Sequence, residues 1–226
     1  MPSPRPLPSP PLMLVTGDAG DSQEIVARCL AAAAGGVRWI QLRARQSDGR
    51  SLPAHALYDA AARLVKESSL TVTVNDRLDV ALATGAAGLH LPGGGFHPAV
   101  VRRRLSAACL LGQSMHSVEE VEKAPGELDY VQLGPIFDTP SKRPYGAPLG
   151  TGTLERAAAV LRSRAQRPAL VAIGGIRAHD IQTVAAAGAD AIAVIGAIWD
   201  AADVTAAAQE LTAALWRCSI ALRRSS

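Results

Sequence analysis

Eight short apolar runs, each followed by a longer stretch, set the main constraint on how this chain can fold. The runs are LMLVTG from Leu12, WIQLRAR from Trp39, LTVTVND from Leu70, AGLHLP from Ala87, LLGQSMH from Leu110, YVQLGPIF from Tyr130, ALVAIGG from Ala169 and AIAVIGAI from Ala191. Between them lie Ala-rich segments with helical spacing, such as Ser22–Ala34, Leu52–Lys66, Leu154–Arg164 and Ala178–Ala187. Strand–helix alternation means parallel strands joined by right-handed crossovers. Eight such units in about 210 residues predict an α/β fold, a (β/α)8 TIM barrel forming a single domain over residues 12–222. A doubly wound open sheet is the alternative. It favours a Gly-rich phosphate loop after the first strand, and VTGDAGDS is a poor dinucleotide fingerprint.

Composition agrees with a large aliphatic core: 48% of the 226 residues are hydrophobic and only 4% aromatic. The net charge of +3 comes from scattered basic residues. A nucleic-acid binder would show a denser basic stripe with aromatics, whereas modest basicity suits a phosphorylated substrate. Cys29, Cys109 and Cys218 match neither a disulfide framework nor a zinc site and read as reduced and mostly buried. No run reaches the ~18 apolar residues of a membrane span. The N-terminal MPSPRPLPSPP has six prolines and no apolar core of a signal peptide. Residues 1–11 therefore read as a disordered, polyproline-like tail, and the chain as cytoplasmic. Three similar stretches, AAAGGV, ATGAAGL and AAAGADAI, each read as a helix end, a Gly and the next strand, with the Gly free to take a left-handed cap.

In a barrel the C-terminal strand ends form the active face, and the polar residues collect there. Gln41, Arg43 and Arg45 are spaced by two, so one strand face carries all three while Ile40, Leu42 and Ala44 share the other. Two arginines at a barrel mouth repel unless an anion joins them, and the planar guanidinium fork suits phosphate. Structural salt bridges to barrel carboxylates are the alternative. Asn75 and Asp76 end the third strand. Asp76 there suits Mg²⁺, with waters and phosphate completing the shell, or else a helix cap or a partner for Arg43. Thr139, Ser141 and Lys142 follow the sixth strand in a Gly- and Pro-rich loop. Two hydroxyls and an ammonium donate to phosphate oxygens, and Gly146 and Gly150 would let the loop fold over a ligand as a lid. AIGGI after the seventh strand and VIGA in the eighth fit the barrel phosphate site, where backbone N–H groups meet a short helix.

Taken together, QLRAR, VND, GLHLP, GQSMHSVEE, YVQLGPIFDTPSK, AIGGI and AGADAIAVI resemble the thiamine phosphate synthase/TenI family, from about Leu12 to Trp216. The resemblance implies a (β/α)8 barrel enzyme of thiamine biosynthesis. Family synthases, which are transferases, join hydroxymethylpyrimidine diphosphate to thiazole phosphate and release diphosphate with Mg²⁺. TenI-like tautomerases, which are isomerases, shift a proton to make the thiazole phosphate ring aromatic and need no cofactor. The resemblance assigns Gln41, Arg43 and Arg45 (where Lys is usual) to the diphosphate, Asn75 and Ser114 to the pyrimidine, and Asp76 to Mg²⁺. Thr139, Ser141 and Lys142 form the phosphate loop, and Gly175, Ile195 and Gly196 the thiazole-phosphate backbone site. The second Mg²⁺ carboxylate of the family is replaced by Gly95. Pro135 stands where one tautomerase type has its catalytic His, which leaves His116 and His90 as proton-transfer candidates through their near-neutral pKa. Lys142 would stabilise departing diphosphate. HLPGGGF, SMHSVEE and RAR tilt the expectation to a thiazole phosphate tautomerase, with the synthase as the alternative and a non-catalytic phosphate-ligand sensor as a third reading. The expected partners are these small molecules, with no nucleic acid and no membrane; a homo-oligomer is left open.

Overall fold

The computed structural model describes residues 5–43, 52–67, 69–139, 143 and 146–218. Eight parallel strands close into a barrel in sequence order: β1 Leu12–Val15, β2 Trp39–Leu42, β3 Thr71–Asn75, β4 Gly88–Leu91, β5 Leu110–Met115, β6 Tyr130–Leu133, β7 Ala169–Ile173 and β8 Ala191–Val194. Closure comes from β1 pairing with β8, Met13 opposite Ala193. The outer helices are α1 Ser22–Ala34, α2 Ala54–Val65, α3 Leu78–Thr84, α4 Pro98–Arg102, α5 Val118–Glu122, α6 Gly150–Arg162, α7 Ile181–Ala186, α8 Gly196–Trp199 and α9 Val204–Arg217. The (β/α)8 barrel expected from the sequence is therefore the observed fold, and the alternative open sheet is ruled out.

Period-two alternation divides each strand between two cores. Leu14, Ile40, Val72, Leu89, Leu111, Val131, Leu170 and Ile192 point outward and pack with helix residues such as Ile25, Leu64 and Leu161. Met13, Val15, Trp39, Tyr130, Val171 and Ala193 fill the barrel itself. The helix starts use local chemistry. The carboxylate of Asp21 accepts from the Glu24 amide at 2.9 Å to cap α1, and the Ser117 hydroxyl accepts from Glu120 at 3.1 Å to cap α5.

The proline-rich N-terminus departs from expectation. Residues 1–4 lie outside the described residues, but residues 5–11 are not a free tail. Pro10 and Pro11 are buried, the Ile192 amide donates to the Pro11 carbonyl at 3.0 Å, and Leu7 packs against the interior cluster. Arg5 pairs with the buried Asp129 at 2.7 Å. The four prolines at 6, 8, 10 and 11 remove donors and fix φ without preventing an extended segment from lying across the strand starts, so composition misread it as disordered. The cysteines are unpaired, and burial pushes the Cys29 thiol up to about 12. Among the described residues, no helix is long and apolar enough to cross a membrane.

Candidate active site at the barrel mouth

The interior of the barrel is two-sided. From β2 to β6 its side chains include Gln41, Thr73, Asn75, His90, Ser114, Tyr130 and Gln132; from β7 through β1 they are Val171, Ile173, Ala193, Met13 and Val15. Gln41 is buried, and its amide donates to the Asn75 side-chain oxygen at 3.5 Å. Its own Oε1 has no partner among the described residues. A buried acceptor without a donor costs ~1–3 kcal/mol, and a ligand N–H at this point would remove the cost.

His90 lies deeper. Its Nδ1 is 3.1 Å from the Tyr130 hydroxyl and its Nε2 is 2.8 Å from Ser114 Oγ. Burial lowers its pKa to about 3, so the imidazole is neutral, a positioned hydrogen-bonding group with no access to solvent protons. Burial likewise pushes the Tyr130 phenol up. The ring of Tyr130 fits because Gly112 faces it: a Cβ there would lie inside the ring. Tyr130 and Thr73 were missed by sequence reasoning. A Gly within the β5 run is the one signal that a large neighbour approaches closely.

At the rim, His116 is exposed and its Nδ1 is 2.8 Å from the Gly134 carbonyl. A carbonyl only accepts, so in the neutral ring Nδ1 carries the proton and Nε2 is the basic nitrogen. Arg43 follows β2 and is half-buried; the Thr16 hydroxyl donates to its carbonyl at 2.9 Å and accepts from its amide at 2.8 Å. Arg45 lies outside the described residues. Asn75 ends β3 half-buried, and Asp76 beside it is exposed, with φ 61, its amide donating to the His90 carbonyl.

Asp76, the residue that the family resemblance gives to Mg²⁺, offers one exposed carboxylate at the end of β3. Asp79 is held by a two-point pair with Arg77, which keeps its pKa down at about 2. At Gly95 a Cβ would come within 3.0 Å of Pro92 Cδ, so this turn has no room for a second carboxylate without shifting the proline. Among the described residues no cluster of three or more His, Cys, Asp or Glu side chains forms. One carboxylate still fits Mg²⁺ where a ligand's phosphate oxygens and water complete the octahedron.

The β6–α6 loop is clamped at its base. The Ile136 amide donates to the Ile173 carbonyl and Phe137 to Gly174, both at 2.9 Å, while Leu149 and Gly150 donate back to Pro135 and Ile136. Gly174 and Gly175 permit this approach. Both have positive φ, and a Cβ would sit 2.6 Å from Pro135 Cα and 2.7 Å from the Asp138 carbonyl respectively. Thr139 is half-buried at the clamp's edge; Ser141 and Lys142 lie outside the described residues. Arg143 is paired with Asp138. Across the rim, Ile195 and Gly196 turn β8 directly into α8, which is held by the Trp199 indole donating to the Asp18 carbonyl at 2.9 Å. An outer groove between α1 and α9, lined by Asp18, Arg28, Trp199 and Asp203, is separate, with Arg28 bonded there to Glu24 and the Trp199 carbonyl.

A closed parallel barrel whose polar residues gather at the strand C-termini, between a clamped loop and a short extra helix, has the architecture of a barrel enzyme that handles a phosphorylated small molecule. The chain belongs to the thiamine monophosphate synthase family, whose model matches residues 12–198. It is 40% identical over 205 residues to a thiamine-phosphate synthase of Bordetella pertussis, covering 88% of this chain and 92% of that one. With a thiamine-phosphate synthase of Methanoculleus marisnigri the identity is 42% over 181 residues, covering 80% and 82%. The solved thiamine phosphate pyrophosphorylase of Pyrococcus furiosus superposes with a TM-score of 0.75 at 27% identity, covering 92% of this chain and 96% of that one.

Proposed function

We propose that this enzyme is a thiamine-phosphate synthase, the alternative rather than the leading expectation of the sequence analysis. What carries the choice is the name its 40–42% identical relatives bear, thiamine-phosphate synthase. The tautomerase lean rested on short similarities around HLPGGGF and RAR and finds no specific support.

In this reading the pyrimidine ring lies against Gln41, Asn75 and Ser114, where the unpartnered Gln41 Oε1 awaits a donor. Arg43, Arg45 and Lys142 face the diphosphate. Thr139, Ser141 and the backbone at Gly175, Ile195 and Gly196 take the thiazole phosphate. The bond between the pyrimidine methylene carbon and the diphosphate oxygen breaks, the thiazole nitrogen lone pair forms the new bond to that carbon, and diphosphate leaves with the electron pair. Cationic side chains lower the barrier by meeting charge as it builds on the leaving group. Mg²⁺, when bound through Asp76 and diphosphate, adds charge neutralisation. No step needs a proton from His90 or His116.

The test is an assay of purified protein with thiazole phosphate, with and without pyrimidine diphosphate and Mg²⁺. Thiamine phosphate formed only with both supports the synthase. Ring aromatisation without them would restore the tautomerase, and binding without turnover would indicate a sensor.

A further inference from the structure

His116 takes no part in the bond changes proposed above, yet it is held from two sides. Ser117 caps α5 by accepting from the Glu120 amide at 3.1 Å, and the Glu120 carboxylate reaches back to accept from the His116 amide at 2.6 Å. Reciprocal bonding of this kind at a helix start fixes the His116 backbone to α5. On the other side, ring Nδ1–H donates to the Gly134 carbonyl at 2.8 Å.

Gly134 is the first residue after β6, and there are few ways to hold it. The peptide that joins it to Pro135 has no N–H, so the Gly134 carbonyl is the single hydrogen-bonding group of that unit. His116 takes it. The Gly134 amide donates to the Met115 carbonyl at 3.3 Å, so neighbouring residues at the end of β5 hold both polar groups of this glycine. Its third side is closed by β7, because a Cβ on Gly134 would lie 2.3 Å from the Ile173 carbonyl. From this pivot the chain enters the clamp, where Ile136 donates to Ile173 at 2.9 Å and Leu149 to Pro135 at 2.8 Å.

We infer that His116 is a positioning residue for the substrate loop. It ties the end of β5 to the Gly134–Pro135 peptide and so sets the base from which the loop from 138 to 150 meets phosphate groups. In this role the ring transfers no proton. Nδ1 carries its proton in the neutral ring and in the imidazolium alike, so the tie holds whatever the charge of the ring. The inference deepens the synthase reading and rests on it for the identity of the ligand; the tie itself rests on the contacts of Gly134.

Three variants of the full-length enzyme separate this role from others. In His116→Asn the side-chain N–H falls where Nδ1–H lies and still reaches Gly134. In His116→Gln it lies one bond further out, and His116→Ala has none. Hydrogen exchange of the unliganded protein reads the tie without turnover. The Ile136, Phe137, Leu149 and Gly150 amides should exchange roughly 2- to 10-fold faster in His116→Ala and His116→Gln, as for one lost hydrogen bond. His116→Asn should exchange like the wild type, and the other strands should not change. Binding of inorganic diphosphate should weaken by the same factor in the same two variants. KM for the pyrimidine diphosphate should rise with it, while kcat changes by less than about twofold. Three results would overturn the inference. His116→Asn losing as much turnover as His116→Ala would mean that the ring itself reacts. Faster exchange across the whole barrel would make His116 merely structural. Unchanged exchange in His116→Ala would mean that Gly134 is held without it. The exchange pattern decides the tie even if the wild type forms no thiamine phosphate, a result that would sink the synthase reading alone.

Discussion

At the scale of single residues, the site contrasts two histidines. His116 stands exposed at the rim, while His90 is enclosed between Tyr130 and Ser114 with its pKa lowered from 6.5 to about 3 by burial. Unfolded, this imidazole takes up a proton near pH 6.5; folded, it resists until about pH 3. The unfolded chain binds more protons in that window, so stability is full above it and falls as pH drops through it. The slope from one such group is about 1.4 kcal/mol per pH unit, or about 2 kcal/mol lost at pH 5. Urea midpoints of the wild type and His90→Gln at pH 7 and pH 5 check this. The variant should start less stable and decline less; equally steep declines would place the acid sensitivity elsewhere. At the loop, the contact proposed for Lys142 with the diphosphate is charge-assisted and worth about 1.5–3 kcal/mol, so Lys142→Ala should weaken binding of the pyrimidine diphosphate roughly 10- to 150-fold with an unchanged melt. Unchanged affinity would reduce the loop from 138 to 150 to a connection.

At the scale of elements, strands β5 and β6 show how a glycine sets what a neighbour can be. Replacing Gly112 by Ala drives a methyl group into the Tyr130 ring. Overpacking of this kind costs typically 1–3 kcal/mol, and rigid β-strand backbone on both sides puts Gly112→Ala at the upper end. Tyr130→Phe should not rescue it, because the ring remains; Tyr130→Leu should recover part of the loss in a chemical-denaturation series. Much of this level was legible in sequence. The short apolar runs identified all eight strands, and Ser22–Ala34 matches α1 end for end. The three repeated Gly motifs do supply left-handed residues, Gly36, Gly85 and Gly188, after their helices. The parity of Gln41 put it inside the barrel for the right reason, since apolar residues take the helix-facing side, while Asn75 and Ser114 were read only as polar residues at strand ends. What stayed hidden depends on contacts between strands far apart in sequence. Thr73 and Tyr130 look like ordinary β-formers, and only closure of the barrel brings Tyr130 to His90, forty residues away. Gly95 is a local case: the sequence shows a lost carboxylate but not that the turn folds Pro92, three residues earlier, against it.

At the scale of the whole molecule, the barrel has a chemical end and a closed end, and the closed end is organised by Asp129. This buried carboxylate precedes β6, accepts from the Leu111 amide at 2.8 Å, and pairs with Arg102 and Arg5, each at 2.7 Å. Asp190 repeats the device before β8, accepting from Leu170 and pairing with Arg167. Arg5 differs from Arg102 in coming from the proline-rich segment, which also brings Leu7 under the interior cluster. Removing residues 1–9 should therefore destabilise the barrel while leaving the mouth intact. The loss combines a partly buried ion pair and a half-buried leucine, each on the order of 1 kcal/mol. For a domain of this size, ~1 kcal/mol shifts Tm by about 2–4 °C, so a fall of roughly 4–8 °C is expected. Arg102 still compensates Asp129 in the truncated chain, so the protein should fold, and thiamine phosphate formation at room temperature should be unchanged within about twofold. Asp129→Asn in the full chain is the sharper lesion: it leaves Arg5 and Arg102 without their carboxylate and should cost more than the truncation, at about 3–5 kcal/mol for a broken buried pair. Thermal melts and turnover of both variants decide the matter. A truncated chain that melts with the wild type would mean that residues 5–9 rest on the barrel without stabilising it, and one that loses turnover at full stability would connect the two ends of the barrel in a way these contacts do not provide.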